Sequence, residues 1–236
     1  MKYQGNKQRF AKYILLIMLA ERKPKQAWVE PFCGSCSIME KVTGLRIAND
    51  KNKYLIAMWN TLCKGDISFP MRIERDFYNK VRESYNNNDG KYPDSLIGWV
   101  GFMGSFNGRF FDGGYSGHNV KGRDYIGENI KNTLSQVPFL MGVEFYTGNY
   151  DELLIPEQSI IYCNPPYKNT KQYAVSKNFD HENFYQWCRN KKHEGHTVFV
   201  SEYEMPDDFK CVWQMDVRTA QNPYNTKFVT EKLFTL

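Results

Sequence analysis

The sequence predicts an α/β domain on a mostly parallel sheet, interrupted by a mainly helical insertion. Two observations predict it. Short apolar runs of strand length alternate with helix-length stretches over residues 1–62 and return over 141–236, and residues 63–140, rich in Asn, Gly, Tyr and Phe, break that rhythm.

The elements follow in order. Residues 6–20 read as an amphipathic helix. Ala27–Glu30 reads as a strand stopped by Pro31, followed by a turn at Gly34 and a helix around Ser37–Val42. Leu45–Ala48 reads as a second strand ending at Asn49–Asp50, with a helix over 52–63. Inside the insertion, helices are expected near 70–86, 94–104 and 124–135, and Gly104–Gly117 is loop-like because Gly, Asn and Asp punctuate it. Strands resume at Val143–Tyr146, Ser159–Cys163, Thr197–Ser201, Val212–Val217 and Phe228–Phe234.

Composition bounds the function class. The chain of 236 residues is 42% hydrophobic and 24% charged, ordinary for a globular protein, and the 16% of aromatics is high enough to fill a core and still stack on bases. The net charge of +5 is compatible with a polyanion at one face. Its distribution is uneven: Lys2, Lys7, Arg9, Lys12, Arg22, Lys23 and Lys25 face only Glu21 in the first 25 residues, as a solvated helix face or a phosphate-facing one. Ile14–Ala20 is too short to span a bilayer and lacks a cleavage site, so neither membrane insertion nor targeting is expected. Six scattered cysteines suggest a reduced, cytoplasmic protein. Cys33 and Cys36 have Cys-x-x-Cys spacing, but no second ligand pair accompanies them, so no metal is expected.

Three constellations carry chemistry. Asn164-Pro165-Pro166-Tyr167 follows an apolar strand, and ligands of open parallel sheets gather beyond the carboxyl ends of strands. The prolines offer no N–H groups, Asn164 and the Pro165 carbonyl offer acceptors, and Tyr167 offers a flat face. An amine on a planar ring system suits that set; a simple proline turn is the bland alternative. Glu30-Pro31-Phe32-Cys33-Gly34-Ser35-Cys36-Ser37 forms a tight strand-to-helix turn that would let backbone approach a ligand. Asp50, at the end of the second strand, can accept from both hydroxyls of a ribose or cap the following helix. His193 and His196 are expected to be solvated, and His118, in the inserted loop, is a candidate phosphate contact.

In this order, these residues resemble the Dam or D12 class, the α-group, of DNA N6-adenine methyltransferases. Tyr3-Gln4-Gly5-Asn6-Lys7 is similar to the family's N-terminal cofactor motif, Pro31–Ser35 to its methionine-binding loop, Asp50 to its ribose acid and Asn164–Tyr167 to its catalytic motif, whose first position is Asp, Asn or Ser. Gly148-Asn149-Tyr150 stands where the family has an acidic–aromatic pair against the cofactor's adenine. Ser201-Glu202-Tyr203 and Glu231-Lys232-Leu233-Phe234 are similar to further signatures, and the insertion with Ser105–Phe110 resembles its target-recognition domain. Cys36 stands where a second glycine is usual, and Asn149 where Asp is usual.

The resemblance implies a Rossmann-like, S-adenosylmethionine-dependent sheet over 1–62 and 141–236, with 63–140 as the recognition domain. It implies S-adenosyl-L-methionine as cofactor, held by Tyr3, Lys7, Pro31, Phe32, Cys33, Gly34, Asp50, Asn149, Tyr150 and Asn164. Asn164, Pro165 and Tyr167 would be catalytic, and Asn107, Arg109, His118 and Arg123 would contact double-stranded DNA. The reaction implied is site-specific methylation of adenine N6 after base flipping, in a protein of bacterial or viral type that needs no obligate protein partner. Restriction protection, regulation and viral countermeasure all remain open as its role. Protein-glutamine and some RNA methyltransferases share Asn-Pro-Pro-Tyr, but place it soon after the cofactor loop; here 130 residues separate Gly34 from Asn164. A DNA-binding homologue that has lost transfer is the other alternative.

Overall fold

In the computed structural model, which describes residues 1–118, 122–168, 178–219 and 227–236, seven strands pair into one sheet. They are β1 (Trp28–Glu30), β2 (Arg46–Asp50), β3 (Glu144–Thr147), β4 (Ile160–Cys163), β5 (Thr197–Glu202), β6 (Lys210–Thr219) and β7 (Lys227–Thr235), in spatial order β3-β2-β1-β4-β5-β7-β6. The first five run parallel, and β7 lies antiparallel between β5 and β6. Strand order therefore reverses between β1 and β4. The loops leaving those two strands flank the crevice where such sheets bind ligands. Every residue of β1 and β4 is buried, which explains why β4 reads as a continuous apolar run.

Side-chain alternation divides the core. Trp28, Ala48, Tyr162 and Phe199 point to one face; Val29, Ile47, Ile161 and Val200 point to the other. The first face carries α1 (Ala11–Met18), α2 (Lys53–Cys63), α3 (Arg75–Asn87), α4 (Asp94–Gly104) and α5 (Tyr125–Leu134), with the short α6 (Val137–Leu140) after them. The second carries α7 (His181–His193), which buries Phe184, Tyr185, Trp187 and Cys188. The helices between α2 and β3 share one core with the sheet. Gly98 lets α4 press onto α2, because a Cβ there would collide with the Tyr54 carbonyl.

Several elements differ from the sequence expectation. The first helix begins at Ala11 rather than near residue 6, because the preceding chain turns across the crevice and Gly5 meets Asn164 there. The helix expected at Ser37–Val42 is only a 3-10 turn, Met39–Lys41. Cys36 precedes it at φ +55°, outside the helical region. α3 starts at Arg75, after Pro70 and an irregular approach. α7 goes unrecognised in the sequence, since its polar residues dilute the apolar stripe; Asp180 caps it through the Asn183 N–H at 3.0 Å. His193 is exposed, but His196 is buried, contrary to expectation: its Nδ1 accepts the Ser159 N–H at 3.1 Å, and burial lowers its pKa. No helix among the described residues is long and apolar enough to cross a membrane.

Candidate active site

The loop after β1 is held from four sides. Gly34, at φ +48°, donates its N–H to Asp50 Oδ2 at 3.0 Å and accepts the Trp59 indole N–H at 3.2 Å. A Cβ on Gly34 would stand 2.8 Å from the Tyr3 ring, so only glycine fits beneath that N-terminal segment. Gln136 donates to the Ser35 carbonyl at 3.1 Å. Asn49, buried at the end of β2, donates to both the Pro31 and Gly148 carbonyls at 3.0 Å, joining the loops after β1 and β3. Sequence reading missed Asn49, and its only signal was an amide beside Asp50 at a strand end. Cys36, where a glycine is usual, takes the left-handed conformation a glycine would take, at roughly 1–2 kcal/mol.

Asp50 is half-buried, and its Oδ1 accepts the Asn52 N–H at 2.9 Å. The cap of α2 is Asn52, whose side chain accepts from Tyr54 and Leu55 N–H, so Asp50 is spared that role. A carboxylate offers about four lone-pair directions. Gly34 and Asn52 use two, and the remainder suit two vicinal hydroxyls. Burial raises the Asp50 pKa above the ordinary carboxylate value, against the opposing pull of those two N–H groups.

Beyond β3, Asn149 opens a 3-10 turn and exchanges hydrogen bonds with Glu152 in a capping box. Tyr150 packs on Phe32 with ring centroids 5.3 Å apart, and both rings contact Phe184. Phe32 follows β1 and Tyr150 follows β3, so these rings join the two loops in one apolar cluster.

Across the switch point, Asn164 Nδ2 donates to the Gly5 carbonyl at 3.2 Å. A carbonyl can only accept, so this bond settles which amide atom is nitrogen. Asn164 Oδ1 is buried and has no hydrogen-bond partner among the described residues. The Tyr167 hydroxyl donates to Glu231 Oε2 at 3.0 Å, and Lys7 Nζ reaches the same oxygen at 3.0 Å. The Lys7 ammonium also lies 4.5 Å from the Tyr167 ring centroid. Lys7 thus stands beside Tyr167 and Glu231. Glu202 accepts the Lys168 N–H at 3.0 Å and the Tyr203 N–H at 2.7 Å, fixing the exit of the Pro-Pro loop. Burial pushes Glu202 up to about 7 and lowers Lys7.

Under the β1 loop, the buried Glu30 accepts the Trp28 indole N–H at 2.8 Å, and burial pushes its carboxyl up to about 8. The folded protein therefore holds this proton more tightly than the unfolded chain does. Glu30 adds stability at low pH that is lost as pH rises from about 4.5 to about 8. Glu30→Gln keeps the acceptor and removes the titration. Urea unfolding should show wild type losing about 2 kcal/mol relative to Glu30→Gln between about pH 5 and 7; parallel profiles would contradict it.

The insertion meets the N-terminal segment at an open cleft of about 1370 Å³, lined by Lys2, Tyr3, Gln4, Phe106, Asn107 and Arg109 among others. Arg123 joins Lys2, Phe106 and Asn107 around an adjoining hollow of about 190 Å³. Three of the four residues singled out for DNA thus cluster on one edge, around the exposed Phe106. Arg123 is bidentate to Glu128 at 2.7 and 2.8 Å. His118 differs from expectation: its Nε2 accepts the Ile73 N–H at 3.3 Å and its Nδ1 bonds Asp124 at 2.7 Å, so no ring N–H is left for a phosphate. Among the early cations, Lys7 is buried, and Arg22 serves the Gln26 and Thr43 carbonyls.

Comparison with solved structures finds distant likenesses. Precorrin 8w decarboxylase from Methanobacterium thermoautotrophicum is 10% identical, with 96% of this chain and 88% of that one covered and a TM-score of 0.39. The "putative RNA methyltransferase" PH1948 from Pyrococcus horikoshii is 12% identical, with 99% and 83% covered and a TM-score of 0.42. The Escherichia coli protein yhhF is 8% identical, with 96% and 83% covered and a TM-score of 0.35. The sequence matches no curated protein. A family model does match, over residues 3–229, and takes in the Gly5 motif, the Gly34 loop, Asp50 and Asn164–Tyr167 together: the chain belongs to the D12 class of N6-adenine-specific DNA methyltransferases.

Proposed function

We propose that this protein transfers a methyl group from S-adenosylmethionine to N6 of an adenine flipped out of duplex DNA. One observation carries the reading: the buried oxygen of Asn164, which has no hydrogen-bond partner among the described residues. A buried acceptor left unsatisfied costs about 1–3 kcal/mol, so a donor that reaches this oxygen is favoured. The exocyclic amine of adenine is such a donor. Its lone pair is delocalised into the ring, and Asn164 Oδ1 with the Pro165 carbonyl would draw its hydrogens out of plane and localise that pair. The interaction strengthens as positive charge develops on nitrogen, so it favours the transition state. Tyr167 would stack on the base, which is out of reach inside a duplex.

The residues fit S-adenosylmethionine. Asp50 has lone pairs to spare for a ribose, and Phe32 and Tyr150 offer apolar ring surface. When bound, this group supplies an electrophilic methyl on a sulfonium. The chain's part is to align it with N6. Asn107, Arg109 and Arg123 would read or anchor the duplex, since Arg pairs with guanine and Asn with adenine edges. No classical base is required, because the methylated ammonium is acidic enough to lose its proton to water.

The deciding experiment incubates the purified chain with tritiated S-adenosylmethionine and unmethylated duplex DNA, then digests the DNA to nucleosides. Label should co-migrate with N6-methyldeoxyadenosine. Label in RNA or protein alone, or nowhere, overturns the reading.

A further inference from the structure

We infer that Glu202 is a positioning residue: its buried carboxylate anchors the far end of the Asn164–Tyr167 loop, and only the ionised form holds that loop in the arrangement that serves methyl transfer. This rests on the proposed function above. The need for an outside acceptor comes from the sequence. Pro165 and Pro166 have no N–H, so the loop offers no backbone donor between Asn164 and Tyr167. Its near end leaves β4, whose Cys163 pairs with Val200 of β5, and Asn164 bonds the Gly5 carbonyl. At its far end, the Lys168 N–H reaches Glu202 Oε2 at 3.0 Å. Glu202 closes β5, the neighbour of β4, so the sheet itself brings this acceptor alongside the loop. Its other oxygen, Oε1, accepts the Tyr203 N–H at 2.7 Å.

An ionised carboxylate only accepts, whereas a protonated carboxyl must also place an O–H. Both backbone partners of Glu202 are N–H donors, so protonation sets a hydrogen against one of them and exchanges a charged acceptor for a weaker neutral one. Burial brings that proton into the ordinary pH range. Glu202 is 1% exposed, and its carboxyl is pushed up to about 7. The Tyr203 and Lys168 N–H groups and the Lys7 ammonium act against that rise, and Glu231 of β7 adds to it. Tyr167, Tyr203 and Tyr185 of α7 complete the surroundings, their hydroxyls raised first by burial and then by acidic neighbours that include Glu202. The Lys168 ammonium is paired with Glu182 at 3.6 Å. The anchor therefore weakens as pH falls through about 7.

The single-turnover methylation rate of the wild-type protein should rise about tenfold between about pH 6 and about pH 8, since small misplacements at a reacting centre are costly. The midpoint should lie near the value of about 7 that burial gives Glu202. Glu202→Gln keeps the shape and one acceptor oxygen but turns amide hydrogens toward a donor, as the protonated acid does. Its rate should be flat over the same range, at the wild type's low-pH value. A Lys7 titration would survive this substitution, so a flat profile isolates Glu202. The dissociation constant for S-adenosylmethionine should stay within about twofold, because β2, which carries Asp50, lies three strands from β5. A Glu202→Gln rate at the wild-type plateau, a pH step that survives in it, or a loss appearing only as weakened cofactor binding overturns the assignment. The anchor itself is read without turnover or substitution, from the proton–nitrogen correlation spectrum of the wild-type protein. The Lys168 and Tyr203 amide protons should move upfield together as pH falls through about 7, and a Lys168 amide that does not titrate refutes the anchor. If the wild-type protein transfers no methyl group, the proposed function falls, and the Lys168 amide alone decides whether Glu202 holds the loop.

Discussion

Asn164→Ala should lower kcat by about 10³-fold while duplex affinity stays within about twofold. The asymmetry follows from where the side chain acts. Its Nδ2 is spent on the Gly5 carbonyl, and its Oδ1 has no partner among the described residues. The oxygen therefore gains its partner only when the target amine arrives, and gains most as charge grows on that nitrogen. Removing it relieves the free protein of an unsatisfied acceptor and takes stabilisation from the transition state. Asn164→Asp sharpens the test. It keeps an acceptor but sets a carboxylate oxygen against the Gly5 carbonyl, so its kcat should fall between wild type and the alanine variant. Single-turnover methylation and a filter-binding titration check both expectations. Near-normal turnover in Asn164→Ala would remove Asn164 from the reaction.

Asp50→Ala should weaken S-adenosylmethionine binding by about 10²- to 10³-fold, the loss of two hydrogen bonds to a charged acceptor at roughly 1.5–3 kcal/mol each, partly offset by water. The same carboxylate receives the Gly34 and Asn52 N–H groups, so the variant should also unfold at lower urea. The two effects separate in Asp50→Asn, which retains one acceptor oxygen and should recover more stability than cofactor affinity. Calorimetry on the folded variants is the check. Cofactor affinity equal to wild type in Asp50→Ala would leave Asp50 as a loop anchor only. α2 itself should survive either change, because its cap is Asn52.

The centre of the sheet was legible because β1 and β4 are short buried runs stopped by residues that do not continue them. Pro31 stops β1, and Asn164-Pro165 stops β4. α2 and α4 were legible for the matching reason, a sustained apolar stripe ending in polar or glycine residues. α7 was not, because its helical period is carried by aromatics set among Asn, Gln, Arg and Lys. The first helix was read too long. Local pattern alone favours helix from residue 6, but Gly5 and Lys7 are committed to partners far along the chain, at Asn164 and Glu231.

The chemical groups of the site were written in the sequence by itself: acceptors without backbone donors at Asn164–Tyr167, a permissive turn at Gly34 and an acid closing β2 at Asp50. Their type and their strand-end positions follow from the chain locally. Only the tertiary structure decided who serves whom. It brought Gly5 to Asn164, Asn49 to two neighbouring loops, and Lys7 with Glu231 to Tyr167. It also took His118 and His196 out of solvent service and gave each a backbone N–H to accept. Hydrogen bonds between segments separated by 159 or 224 residues leave no local period to read. They exist because burial desolvates these polar groups, and the sheet order determines which partners lie within reach.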